Sequence, residues 1–138
     1  MNLDEFEKFS SLDAENMIAH IDGLADQLNT AWELGLTQPL PALLPIKHVV
    51  VAGMGGSAIG ADLLASFLSD RVTVPVFIQR DYGLPAFAFG PETLVVVSSH
   101  SGNTEESISA FEAAIRGNCQ ILVITTGGKL LSEAQRNG

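Results

Sequence analysis

His48-Val49-Val50-Val51-Ala52-Gly53-Met54-Gly55-Gly56-Ser57-Ala58-Ile59-Gly60 decides the fold. Residues 48–52 are a short, nearly continuous β-branched run, the pattern of a strand buried on both faces. The run enters a glycine- and serine-rich turn and then a helix-like stretch from Ala58 to Leu68. The same order returns downstream. Leu94-Val95-Val96-Val97 runs into Ser98-Ser99-His100-Ser101-Gly102-Asn103-Thr104, followed by a helix from Glu105 to Arg116 with Ile108, Phe111, Ala114 and Ile115 on one face. Ile121 to Ile124 feeds Thr125-Thr126-Gly127-Gly128, and Leu130 to Gln135 begins another helix. Val72 to Ile78 is a further strand, which Pro75 assigns to an edge or a bulge. Strands alternating with helices imply a parallel sheet covered by helices on both faces. In such sheets ligands bind at the carboxyl ends of the strands, near a topological switch point. Three polar glycine loops of this chain fall at such ends.

Upstream, Ala14, Met17, Ile18, Ile21, Leu24, Ala25, Leu28, Ala31 and Trp32 recur at three- and four-residue steps, which predicts one amphipathic helix from about Asp13 to Leu34. Asp13 can cap its start and Gly35 can end it in a left-handed turn. Pro39, Pro41 and Pro45 then mark a connection. The expected organisation is an N-terminal helix with its Pro-rich connection over 1–45 and one α/β domain over 46–138. Hydrophobic residues make up 46% and charged ones 17%, which favours a folded domain with a real core. No apolar run approaches the roughly eighteen residues of a membrane span, and the acidic start at residues 1–7 is not that of a secretory leader. Cys119 is the only cysteine, so no internal disulfide can form; a cytoplasmic setting is expected, with Cys119 as a small apolar residue beside a strand. A net charge of −9, with seven scattered Lys and Arg, argues against a nucleic-acid partner. His20, His48 and His100 show no ligand spacing with Cys119 or a carboxylate cluster, so no metal is expected; no other cofactor is expected either. Any anion site must therefore be local, made of backbone N–H groups, hydroxyls and helix ends.

Both of the first two loops have that chemistry. Glycines 53, 55, 56 and 60 let the backbone wrap closely round an oxyanion, and the following helix offers unpaired N–H groups with about half a positive charge. Ser57 adds a hydroxyl, either as a ligand or as an ordinary N-cap. Gly53, Gly55 and Ala58 also fit the dinucleotide pattern G-x-G-x-x-A, but its acidic partner would be Asp81, late in the chain and directly after Arg80. Gly127-Gly128-Lys129-Leu130 has neither the spacing nor the Ser/Thr of a P-loop. In the second loop Ser99, Ser101 and Thr104 supply three hydroxyls within six residues, at a strand end that opens a helix. Asn103 and Glu106 have the spacing of a capping box. Such donors suit a phosphate, which carries about −1.5 to −2 charges near neutrality, and each charge-assisted bond adds roughly 1.5–3 kcal/mol.

Gly55-Gly56-Ser57 after the valine strand, with Ser99-His100-Ser101-Gly102-Asn103-Thr104-Glu105-Glu106, resembles the sugar isomerase (SIS) domain family. The full 53–60 string, Arg80-Asp81-Tyr82-Gly83-Leu84-Pro85 and Ile124-Thr125-Thr126-Gly127-Gly128-Lys129-Leu130 narrow the likeness to the bifunctional phosphoglucose/phosphomannose isomerases, from about Lys47 onward. The resemblance implies a flavodoxin-like three-layer α/β/α sandwich with a parallel sheet, normally two such domains per chain and usually a homodimer. It implies interconversion of glucose 6-phosphate or mannose 6-phosphate with fructose 6-phosphate through an enediol. By the same resemblance Gly55, Gly56, Ser57, Ser99, Ser101 and Thr104 would bind the substrate phosphate. The family usually has tyrosine where this chain has His100, which lines the pocket rim or assists ring opening. Arg80 and Tyr82 are pocket candidates with structural roles equally open.

The resemblance also implies that the proton-transferring glutamate, the ring-opening histidine, a lysine and an arginine lie outside these residues, so no catalytic residue is assigned here. Glu105 and Glu106 make poor bases, since a carboxylate beside a bound phosphate meets like-charge repulsion. Little isomerase activity is expected of the 138 residues alone. The alternative from another class is a regulatory SIS module that senses a sugar phosphate and catalyses nothing.

Overall fold

The computed structural model describes residues 9–137, in two compact units, Met1–Pro41 and Ala42–Gly138. In the first unit the expected single helix is divided. A short helix α1 (Phe9–Leu12) is followed by α2 (Met17–Asp22) and α3 (Leu24–Thr37). The N-cap of α2 is Asn16, at φ 54° and without a side-chain bond of its own. Asp13, three residues ahead of it, reaches the helix start instead, its carboxylate accepting from Met17 N at 2.7 Å and Ile18 N at 2.9 Å. Those two bonds, Ile18's first, hold its pKa below the ordinary value. The break falls at Gly23, at φ −80° and ψ 1°, a residue with the weakest hold on helical geometry after proline. The end is also later than expected. α3 runs through Gly35 to Thr37, and Gln38 is extended at φ −71° and ψ 127°, as a residue before proline must be.

The second unit carries four strands: β1 (His48–Ala52), β2 (Val76–Gln79), β3 (Thr93–Ser99) and β4 (Gln120–Thr125). Its helices are α4 (Gly55–Leu68), α5 (Glu105–Arg116) and α6 (Gly128–Asn137). All strand pairs are parallel, in the order β2-β1-β3-β4. β2 therefore lies at an edge, with Pro75 just ahead of it and the Pro75 carbonyl accepting from Val49 N at 3.0 Å. From β1 the chain steps one way to β2 through α4. From β3 it steps the other way to β4 through α5. Right-handed crossovers in opposite directions place the two helices on opposite faces, which makes the flavodoxin-like three-layer sandwich and puts the switch point between β1 and β3.

The alternation along β3 shows the two faces. Thr93, Val95, Val97 and Ser99 are buried while the residues between them are half-buried. Val95 and Val97 pack with Phe111 and Ala114 of α5 and Leu130 of α6 in the core, and Cys119 packs against that cluster. The Cys119 thiol donates to the Ala88 carbonyl at 3.4 Å, and burial pushes its pKa up.

Candidate functional site

The strand ends at the switch point are in van der Waals reach of each other. A Cβ on Gly53 would lie 2.9 Å from the Ser98 carbonyl oxygen, so only glycine lets the β1 and β3 ends come this close. Immediately after, Gly55 takes φ +52°, a conformation side chains resist. Met54, extended at φ −122°, is the N-cap of α4 and gives no side-chain capping bond. The helix thus begins at Gly55, three residues before the expected Ala58. Ser57 sits in its first turn instead of capping it, and its N–H donates to Met54 O at 3.1 Å. An added Cβ at Gly55 or Gly56 would meet nothing within 4 Å, so the space above this turn is open.

The second loop is more tightly organised. Ser99 is 3% exposed, and its hydroxyl shares a 2.9 Å hydrogen bond with Thr104 Oγ1 while accepting from Gly102 N at 3.2 Å. Thr104 is the N-cap of α5, extended and without a side-chain capping bond, so the first N–H groups of α5 face the loop mouth without a protein cap. Ser101 is exposed, its Oγ accepting from Asn103 N at 3.2 Å. The Asn103/Glu106 spacing does not become a capping box at α5. Asn103 instead turns to α6, where its Oδ1 accepts from Lys129 N at 3.0 Å.

That contact explains the third glycine loop. Thr126 donates from both N and Oγ1 to the His100 carbonyl, at 3.2 and 2.6 Å, and Leu130 N donates to Gly102 O at 2.9 Å. Gly102 takes φ +67°, and a Cβ there would overlap Gly127 O. The turn at residues 125–128 is therefore a support for the second loop.

The rim residues divide. His100 is exposed at the loop. Tyr82 Oη donates to Glu105 Oε2 at 2.9 Å, placing it beside the first turn of α5, and Gly83 N donates to Ser109 Oγ at 3.1 Å. That hydrogen bond and the Glu105 charge raise the Tyr82 pKa above its ordinary value. Arg80 ion-pairs with Asp62 of α4, an attachment that no local sequence signal reveals. A groove of about 540 Å³ runs under α4, lined by Val49, Val51, Leu64, Val96 and Ile124, and touches Gly56 and Ser57 at one end. Its walls hold almost no groups able to bond sugar hydroxyls, so the polar loop mouth above it is the better candidate. Among the described residues, no group of three or more His, Cys, Asp or Glu could hold a metal ion, and no helix is long and apolar enough to cross a membrane.

No family model matches the chain. Among curated proteins it is 42% identical over 123 residues to a bifunctional phosphoglucose/phosphomannose isomerase of Caldicellulosiruptor bescii, covering 88% of this chain and 36% of that one. Another of that name from Aquifex aeolicus is 42% identical over 97 residues, with 70% and 30% covered. A D-glucosamine-6-phosphate 4-epimerase of Sulfolobus acidocaldarius is 32% identical over 108 residues, with 78% and 33% covered. Among solved structures, a tagatose-6-phosphate ketose/aldose isomerase from Escherichia coli aligns with a TM-score of 0.55 at 25% identity, over 86% of this chain and 33% of that one. The chain thus spans about a third of the length of the curated relatives it matches. In sequence and in its SIS-type fold, this chain is a relative of the bifunctional phosphoglucose/phosphomannose isomerases over that third.

Proposed function

We propose that the chain is the phosphate-binding part of an aldose–ketose isomerase that interconverts glucose 6-phosphate or mannose 6-phosphate with fructose 6-phosphate through an enediol. The observation that carries this reading is the meeting of two strand-end loops at the β1/β3 switch point, each opening a helix whose N-terminus has no side-chain cap. Gly55, Gly56 and Ser57 form one wall of the cradle; Ser99, Ser101 and Thr104 form the other. The named relatives support the ligand class, because proteins with three different named reactions have a sugar phosphate in common.

The residues around the cradle supply binding without an evident base. Glu105 is bonded by Tyr82, and a carboxylate next to a phosphate dianion meets repulsion that disfavours its ionised form. Proton transfer between C1 and C2 is therefore assigned to a second SIS domain or subunit, most simply within a homodimer. Ile59, Leu63 and Phe67, three exposed apolar residues at four-residue spacing on α4, support such a companion surface.

Calorimetric titration with glucose 6-phosphate tests the reading. Ser99→Ala removes the partner of Thr104 and one of the two acceptors of the Gly102 N–H, leaving the Ser99 carbonyl; the expected result is about tenfold weaker binding of the sugar phosphate. Binding of glucose as tight as that of glucose 6-phosphate would overturn the phosphate assignment. Steady isomerase turnover by the 138 residues alone would overturn the assignment of the base elsewhere.

A further inference from the structure

We propose that Asn103 is the positioning residue of the cradle, pinning the 99–104 loop to the first turn of α6; this rests on the phosphate reading of that loop. One residue holds both sides of the joint, with its side chain and its backbone N–H. Asn103 Oδ1 accepts from Lys129 N at 3.0 Å, Nδ2 donates to Ser101 O at 3.2 Å, and its own N–H donates to Ser101 Oγ at 3.2 Å. The rotamer of the exposed Ser101 hydroxyl is thereby tied to a helix that begins 25 or more residues later in the chain.

The rest of the joint follows the same line. Leu130 N donates to Gly102 O, so two of the otherwise orphaned N–H groups of α6 are satisfied by the loop. Thr126 grips the His100 carbonyl twice. Gly102 at φ +67° and Gly128 at φ +72° let the two backbones touch, since a Cβ on either would overlap the other loop. Leu130, fully buried in the core, anchors the far side. A loop that must present hydroxyls and N–H groups to a phosphate loses affinity when those donors have to be ordered on binding. Asn103 removes that cost without touching the ligand.

The test measures glucose 6-phosphate affinity and amide hydrogen exchange together in Asn103→Ala, Asn103→Asp, Thr126→Val and the Ala/Val double variant. Asn103→Ala should weaken binding about tenfold, with faster exchange at Lys129 and at residues 99–104. Asn103→Asp keeps the acceptor and should restore slow exchange at Lys129. Thr126→Val should weaken binding less, and the double variant should fall short of the product of the two single effects, because both act on one joint. Unchanged affinity in Asn103→Ala despite fast Lys129 exchange, or a fully multiplicative double variant, would overturn the proposal. If Asn103→Ala does not fold, Thr126→Val decides: weaker binding with faster loop exchange supports it, unchanged loop exchange refutes it. If the unaltered chain binds no glucose 6-phosphate, the phosphate reading falls, and exchange at residues 99–104 in Asn103→Ala still decides whether the pin exists.

Discussion

Tyr82 and Glu105 are both exposed, yet their 2.9 Å hydrogen bond leaves a mark that can be read in solution. The bond and the neighbouring charges of Glu105, Glu106 and Asp81 raise the phenol above its ordinary 10.0. The folded chain therefore keeps a proton that the unfolded chain has lost, so this contribution to stability is complete below 10.0 and disappears as pH rises through the folded value. Tyr82 is the only tyrosine, so ultraviolet absorbance follows its titration without interference. Glu105→Gln keeps an acceptor and removes the charge; the midpoint should move down toward 10.0, and an unmoved midpoint would mean that the pair does not form. At this scale the sequence was partly legible. The hydroxyls of Ser99, Ser101 and Thr104 stood out as a cluster, and the structure brings Ser99 and Thr104 into direct contact. The partners of Arg80 and Asn103 are not legible, because Asp62 and Lys129 lie 18 and 26 residues away and no spacing rule connects them.

Among the elements, β1 and α5 fall where the residue patterns put them, since a β-branched run and a strong apolar face leave few alternatives. The glycine-rich boundary misled. Gly55, Gly56 and Ser57 look like loop, yet they are the first turn of α4, because Gly55 at φ +52° lets the chain enter the helix directly from an extended Met54. The single helix expected over residues 13–34 failed for the converse reason: its apolar period continues across Gly23 while the backbone there leaves helical geometry. A contrast between two glycines follows. Gly56 lies in a helix with open space where a Cβ would go, so Gly56→Ala should leave stability unchanged or raise it by ~0.4–1 kcal/mol while weakening phosphate binding through lost close approach. Gly102→Ala combines a positive φ with overlap on Gly127 and should cost more than ~2 kcal/mol. Chemical denaturation checks both. A stabilised Gly56→Ala that binds as before would remove Gly56 from the cradle.

Across the whole molecule, a chain with net charge −9 holds no excess of cations with which to attract an anion. Under the proposed function, binding therefore rests on fixed dipoles and hydroxyls at one crevice, with backbone N–H groups aimed before the ligand arrives. The order β2-β1-β3-β4 follows from alternating strands and helices only up to the choice of neighbour; the register that sets Gly53 against Ser98 is a long-range property of the sheet. The most direct test is an amide NMR titration of the chain with glucose 6-phosphate, with glucose and inorganic phosphate as controls. Saturable shifts are expected at Gly55, Gly56, Ser57, Ser99, Ser101 and Thr104 with glucose 6-phosphate, and none with glucose. A folded sample whose loop amides stay unmoved by glucose 6-phosphate would contradict the proposed function.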